Sequence, residues 1–337
     1  MRKQLFCLLL LVACQSVRPQ GPRMEYAEGF SVQEDGSVVL YAPDGTSDTL
    51  RGPYRRIVCM SSSYVGFLEA LGKEDVIVGV SGLSFLADSL PNAVEVGYEA
   101  ALDYEAVLSA APDLLLAYTV SAAEPPFLAK LRELGIPVAS LYEQLERHPL
   151  ARAEYLKCFG ALTGCRERAD SVFSAVRDRY AVWVQPTVSR KVLINLPYAD
   201  QWFIPGGDSY MARLFRDAGA ELTGAVPGRR ESSVIDMETA YRYAQEADFW
   251  FHPGWCRSKA QIRRLHPLFA HFPVLEKGVW NNTLQETAGG GNRFWESGPV
   301  RPDLILEDLV HIFQGGTAAA LHYYLPVNEE ISKTDDR

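Results

Sequence analysis

Leu102-Asp103-Tyr104-Glu105-Ala106-Val107-Leu108 leads into Ala111-Pro112-Asp113 and the apolar run Leu114-Leu115-Leu116-Ala117. Far downstream, Ile235-Asp236-Met237-Glu238-Thr239-Ala240-Tyr241 leads into Ala247-Asp248 and Phe249-Trp250-Phe251. Each passage reads as a helix N-cap (Asp103, Asp236), a carboxylate in the first turn (Glu105, Glu238), a short helix and then a buried strand. The same αβ unit written twice predicts two like-built lobes, and two lobes leave a cleft between them. That arrangement points to a protein that closes around a ligand.

Working outward from the first copy, Arg56-Ile57-Val58-Cys59-Met60 has the pattern of a buried strand, and residues 64–71 that of a helix stopped by Gly72. Strands are expected at 76–80 and 136–141, the latter after a helix ending near Gly135. Around the second copy, 191–195 reads as a strand and 196–207 as a long loop, with Asp208 capping a helix to Asp217. Gly289-Gly290-Gly291 marks a mobile loop, and Pro302-Asp303 opens a last amphipathic helix to Phe313. Between the copies, 148–162 and 167–184 read as helices broken at Gly164. Ala169, Val172, Phe173, Val176 and Tyr180 form one apolar stripe at helical spacing in the second. A helix of about 20 residues is about 30 Å long, enough to cross from one lobe to the other. Residues 22–50 are polar, with turns at Glu34-Asp35-Gly36 and Pro43-Asp44-Gly45, and read as a hairpin-like preamble; residues 328–337 read as disordered.

The N-terminus indicates the compartment. Arg2 and Lys3 form a basic head, 5–12 an apolar run too short to span a bilayer, and Leu11-Val12-Ala13-Cys14 a box of the kind cleaved before a lipid-modified cysteine. This predicts a lipoprotein anchored to a membrane at Cys14, with 15–21 as slack in the tether. The formal charge of −9 becomes more negative once Arg2 and Lys3 leave, which argues against nucleic acid or an anionic membrane surface as partner. Cys59, Cys158, Cys165 and Cys256 remain beyond the anchor. Cys158 and Cys165 on one continuous helix would be about 10 Å apart, too far to bridge, and only a break at Gly164 could bring them together; all four are expected to be free core residues.

The passages Arg56-Ile57-Val58-Cys59-Met60-Ser61, Leu68-Glu69-Ala70-Leu71-Gly72 and Val78-Gly79-Val80-Ser81 resemble the opening of the iron-siderophore/haem/vitamin B12 periplasmic binding proteins. Asp103-Tyr104-Glu105 with Pro112-Asp113-Leu114, and Leu134-Gly135-Ile136-Pro137-Val138, resemble that family's next two blocks. Asn195-Leu196-Pro197-Tyr198, Pro205-Gly206-Gly207-Asp208-Ser209-Tyr210-Met211 and Phe294-Trp295-Glu296-Ser297-Gly298 with Arg301-Pro302-Asp303-Leu304 look like its Bacteroidetes-type lipoprotein branch. The resemblance implies an α/β fold of two Rossmann-like lobes, with central mostly parallel sheets, joined by a long rigid α-helix. Applied to this chain it gives a signal peptide over 1–13, tether and preamble over 14–54, an N-terminal lobe over 55–164, the inter-lobe helix over 165–185, a C-terminal lobe over 186–314 and a tail over 315–337. It implies a monomeric, non-enzymatic binding protein that serves an ABC permease and its ATPase from the periplasm. Glu105 and Glu238 fall where that family places its permease-docking glutamates, one per lobe.

Ligand groups belong on loops after strand C-termini. That criterion selects Ser62, Ser63, Tyr64, Tyr98 and Tyr118 from the first lobe, and Tyr198, Trp202, Tyr210, His252, Trp255, Arg257, Asn292, Arg293 and Trp295 from the second. Aromatic faces suit flat organic ligands, and Arg257 and Arg293 suit carboxylates or an anionic ferric complex. The expected cargo is therefore an iron complex, ferric siderophore or haem, with cobalamin (vitamin B12) as the alternative and no intrinsic cofactor. His252, directly after a strand, is the candidate axial haem ligand. His252-Pro253-Gly254-Trp255-Cys256 with His266 and His271 is the basis of a zinc- or manganese-binding alternative, but Pro253 and Gly254 rule out a helix across the first pair. Ser61-Ser62-Ser63 lacks the glycine-flanked elbow of a hydrolase, and the glycine triplet lacks the Lys-Ser/Thr of a phosphate loop.

Overall fold

The computed structural model describes residues 24–119, 124–199, 201–316 and 320–330. Cys14, the leader before it, and 331–337 lie outside the described residues. Two five-stranded sheets organise the chain. The first runs Val138–Leu141, Leu114–Tyr118, Ile57–Cys59, Ile77–Val80, Val94–Glu95, parallel throughout. Its central strands, Ile-Val-Cys and Ile-Val-Gly-Val, are buried at every position, as a parallel sheet covered on both faces requires. The second runs Ala220–Leu222, Arg190–Ile194, Phe249–Phe251, Val279–Asn281, Leu325–Pro326. Only its last pairing is antiparallel.

The helix Arg166–Trp183 lies between these sheets in the chain, and its 18 residues span ~27 Å. Ala169, Phe173, Val176 and Tyr180 are its buried positions, with Val172 packed partly alongside. The helix packs against the first lobe's Tyr155–Leu162 helix and the second lobe's Pro302–Phe313 helix. Tyr180 donates a hydrogen bond to Asp217 at 2.8 Å, and Arg179 pairs with Asp303 at 3.0 Å, so its C-terminal half is tied to the second lobe.

Three segments differ from the expectation. The preamble is a three-stranded antiparallel meander, Phe30–Val32, Val38–Tyr41 and Ser47–Leu50. Its turns form at the two Asp-Gly pairs, where Asp35 accepts from the Ser37 amide at 2.9 Å, Asp44 accepts from the Thr46 amide at 2.9 Å, and Gly36 and Gly45 take φ of 86°. The loop after Arg190–Ile194 contains the strand Trp202–Ile204, and Ser209, not Asp208, caps the helix Tyr210–Asp217. The expected tail is part of the second lobe: Leu325–Pro326 closes the sheet edge, Tyr324 is fully buried, and Asn328 bridges to Ser258. No disulfide forms among the described residues; Cys59, Cys158 and Cys256 are buried and Cys165 half-buried.

Candidate functional site

The repeated αβ unit gives each lobe the same outward feature. Asp103 accepts from the Ala106 amide at 2.9 Å and Asp236 from the Thr239 amide at 2.7 Å, which fixes the N-termini of Tyr104–Ala110 and Met237–Glu246. Glu105 and Glu238 occupy the first turns, are exposed, and have no ion-pair or hydrogen-bond partner among the described residues. A two-stranded antiparallel ribbon feeds each helix: Gly97–Tyr98 with Ala101–Leu102 in the first lobe, Trp202–Ile204 with Ser233–Ile235 in the second.

Exposed aromatic side chains gather after the C-terminal ends of the parallel strands. Phe85 follows Ile77–Val80, Tyr98 follows Val94–Glu95, and Tyr118 ends Leu114–Tyr118. Tyr198 follows Arg190–Ile194, Trp255 follows Phe249–Phe251, and Trp295 follows Val279–Asn281. Their exposures run from 38 to 80 %, against 0 to 3 % for core aromatics such as Trp250 and Phe215. Leaving large rings in water forgoes their burial free energy, so several at one end of two sheets make that end the candidate recognition surface. Phe85 escaped selection from sequence, although it lies five residues after a buried strand, close to the four of Tyr198 and Trp255. Two backbone outliers lie at the same end. Asn195 (φ 70°) and His252 (φ 57°) each follow a parallel strand directly in the left-handed region, a strain that clusters at functional sites.

Other expected ligand residues are turned inward or already engaged. Tyr64 and Trp202 are fully buried: the Trp202 indole donates to the Ile194 carbonyl at 2.8 Å, and the Tyr64 hydroxyl faces the Ala117 carbonyl. Ser62 is half-buried in its helix's first turn, and buried Ser63 donates to Glu143. Buried His252 shares a 2.8 Å hydrogen bond with Tyr324 and is stacked on that ring; burial pushes its pKa down to about 3. It is thus a neutral wedge packed against Phe294 and Trp295, buried and with its Nε2 engaged by Tyr324, and is not placed to ligate a haem iron. Asn292 caps the Arg293–Glu296 helix. Arg257 is paired with Glu286 and Arg293 with Asp88, so neither is a free clamp for an anion. Tyr210 lies under the Arg152 guanidinium at 4.3 Å, and Arg152 pairs with Glu143 at 3.4 Å. Sequence reading missed this buried first-lobe ion pair and the cation–π contact by which its Arg152 reaches a second-lobe helix. Tyr98, Tyr198, Trp255 and Trp295 remain available, as does the ring of Tyr118, whose hydroxyl is hydrogen-bonded to Glu99.

Residues 57–278 match the family described as periplasmic binding protein, which is more than half of the chain. The chain belongs to the periplasmic binding protein family. An uncharacterised lipoprotein of Methanocaldococcus jannaschii is 24 % identical, over 88 % of this chain and 75 % of that protein. Among solved structures, a periplasmic heme binding protein from Pseudomonas aeruginosa superposes with a TM-score of 0.62 at 21 % identity, over 83 % of this chain and 100 % of that one. A periplasmic vitamin B12 binding protein of Vibrio cholerae gives 0.55 at 18 % identity, over 78 % of this chain and 98 % of that one. These likenesses establish the two-lobe fold.

In this periplasmic binding protein the two lobes also touch directly. The Ser62–Ala70 helix packs against the Arg293–Glu296 helix, where Gly66 leaves no room for a side chain beside the Glu296 carbonyl. The glycine triplet, expected to be mobile, lies flush on the first lobe: any Cβ on Gly289 or Gly291 would collide with the carbonyls of Ser84 or Phe85. Thr287 donates to the Phe85 carbonyl at 3.0 Å, and Glu296 accepts from the Ala87 amide at 3.2 Å. Burial and then the neighbouring Glu296 raise Glu69 to about 7. A cavity of about 890 Å³ lies at the opposite end of the second sheet, beside Arg190, Asp248 and Gly278, away from the exposed rings. Among the described residues no group of three or more His, Cys, Asp and Glu stands close enough to hold a metal ion.

Proposed function

We propose that this binding protein holds a flat macrocyclic metal complex between its lobes, against Phe85, Tyr98, Tyr118, Tyr198, Trp255 and Trp295, and delivers it to an ABC permease that engages Glu105 and Glu238. The gathering of exposed rings at the strand C-termini carries this reading, because stacking on ring faces needs no charge on the ligand. The pairing of Arg257 with Glu286 and Arg293 with Asp88 favours a ligand of low net charge, such as cobalamin, over an anionic ferric siderophore. Haem is the second reading: with His252 enclosed, the exposed tyrosines Tyr98, Tyr118 and Tyr198 supply oxygen donors of the type that ligates haem iron. In both readings the protein is tethered to a membrane through lipidated Cys14 and works in the periplasm.

A thermal-shift screen with cyanocobalamin, haemin and a panel of ferric siderophores tests the proposal. A ligand at 100 times its Kd adds about 2.7 kcal/mol of stability. Cyanocobalamin or haemin is expected to raise the melting temperature. A shift with ferric siderophores alone would overturn the macrocycle reading.

A further inference from the structure

The second-lobe ribbon carries an apolar surface that the fold leaves uncovered. In the strand Trp202–Ile204, Trp202 and Ile204 point inward and are fully buried, so the period-two alternation turns Phe203 outward. Its partner in register across the ribbon is Val234, also turned outward. Phe203 is 37 % and Val234 54 % exposed, and directly opposed side chains on one face form a single patch. Ile235 and the N-cap Asp236 follow Val234, and Glu238 stands in the first turn beyond, exposed and without a partner among the described residues. An apolar pair thus stands in the ribbon that feeds this helix, with Val234 four residues ahead of an unpaired carboxylate. The first-lobe ribbon presents a different exposed pair: Tyr98, which carries a polar hydroxyl and leans on Phe85 with ring centroids 6.3 Å apart, opposite the small Ala101, with Leu102 half-buried.

We propose that Phe203 and Val234 form an apolar collar beside Glu238, which docks on the extracytoplasmic face of the permease where a basic pocket is rimmed by apolar side chains. This rests on the proposed function, since it extends the docking role of Glu238. Charge complementarity selects the partner: an unpaired glutamate needs a cation, and the adjoining apolar pair excludes water from that contact and strengthens it. Because the two ribbons present different pairs, Phe203 with Val234 in one lobe and Tyr98 with Ala101 in the other, the collar distinguishes the lobes and fixes the orientation in which the binding protein sits on the permease.

The test places a photo-crosslinking amino acid in turn at Phe203, Val234 and Glu238 of the full-length lipidated protein in its own membranes. Val182, 75 % exposed near the end of the inter-lobe helix, is the control position. Crosslinks to the permease are expected from 203, 234 and 238 and not from 182. The double variant Phe203→Ser/Val234→Ser is expected to weaken binding to the purified permease about tenfold, with unchanged melting temperature and unchanged response to cyanocobalamin and haemin. Crosslinks to the permease from 238 but not from 203 or 234 would overturn the collar and leave the docking glutamate standing. Crosslinks from 203 and 234 to a second copy of this chain, or crosslinks suppressed by cyanocobalamin or haemin, would assign the patch to self-association or to the cleft. Silence at 203, 234 and 238 alike would overturn the collar and the docking reading together.

Discussion

His252 shows how one residue can be correctly singled out and still have a different role. Its place directly after Phe249–Phe251 is legible in the sequence, and the strand end is where ligand groups belong. Its hydrogen-bond partner Tyr324 comes from a distant segment that no local pattern connects to it. The same holds for Tyr64 and Trp202: alternation and spacing say that they follow strands, but only tertiary packing decides which side they face. Asp103–Glu105 and Asp236–Glu238 were readable because capping is local chemistry, complete within one turn. Burial holds His252 neutral, its folded pKa of about 3 lying below the usual imidazole value of 6.5. Between those values the unfolded chain takes up a proton that the folded one refuses, so stability falls as pH drops from 6.5 toward 3. At pH 5 this single group accounts for about 2 kcal/mol. His252→Gln keeps a polar side chain facing Tyr324 without the titration. The acid limb of its denaturation-versus-pH curve is therefore expected to be flatter than the wild-type curve by that amount. Parallel limbs in urea titrations at pH 5 and 7 would refute the assignment. Replacing Tyr98, Trp255 or Trp295 by Ala is expected to weaken binding of the ligand found in the screen by about three- to tenfold each, read by calorimetry, with stability little changed. Tyr64→Ala should instead cost about 3–5 kcal/mol of stability, as a large deletion from the core.

Among elements, the inter-lobe helix was the most legible, because four buried side chains at helical spacing are a pattern that only a helix satisfies. The short strands Ser47–Leu50, Trp202–Ile204 and Leu325–Pro326 were not. Three or four residues, or two, carry too little alternation to stand out, and their pairing partners are set by tertiary structure. The N-terminal segment ahead of the meander is held by two buried carboxylates. Glu154 accepts from the amides of Glu25, Tyr26 and Ala27 at 3.0, 2.8 and 2.9 Å, and Glu146 from those of Glu28 and Gly29. Removing a fully buried acceptor strands its donors, so Glu154→Ala should cost about 3–5 kcal/mol. It should also expose the segment near Met24 to proteolysis, which limited digestion would show. Ala175 sits on the exposed face of the inter-lobe helix, where Gly should cost about 1 kcal/mol and Pro about 3 kcal/mol. Equal losses for the two would mean that this helix does not transmit order between the lobes.

For the whole molecule, the two sheets and the helix between them were readable from the repeated αβ unit, whereas the contact between lobes was not. It depends on Gly66, Gly289 and Gly291 lying against carbonyls of the other lobe, and on Arg293 reaching Asp88, none of which has a sequence period. That contact and the helix constrain the lobes from two sides, which predicts a small change in lobe spacing on ligand binding, unlike binders hinged on extended strands. The contact is also charge-sensitive. Glu69 faces Glu296, Asp88 and Glu74 with Arg293 as the opposing cation, and burial has moved its pKa up to about 7. For a carboxyl whose folded pKa is raised, the folded state holds the proton more tightly. Its stabilising effect is complete below about 4.5 and is lost as pH rises through 7. Above pH 7 the ionised Glu69 adds to the carboxylates already crowded around Arg293, and the lobes are pushed apart at this point. Spin labels at positions 105 and 238, one per lobe, are expected to report a longer or broader distance distribution at pH 8.5 than at pH 5.5. Glu69→Gln should remove that dependence, because the amide stays neutral across the range. A distribution that widens equally in wild type and Glu69→Gln would place the pH response elsewhere, and one that never widens would mean that the helix alone sets the spacing the permease meets.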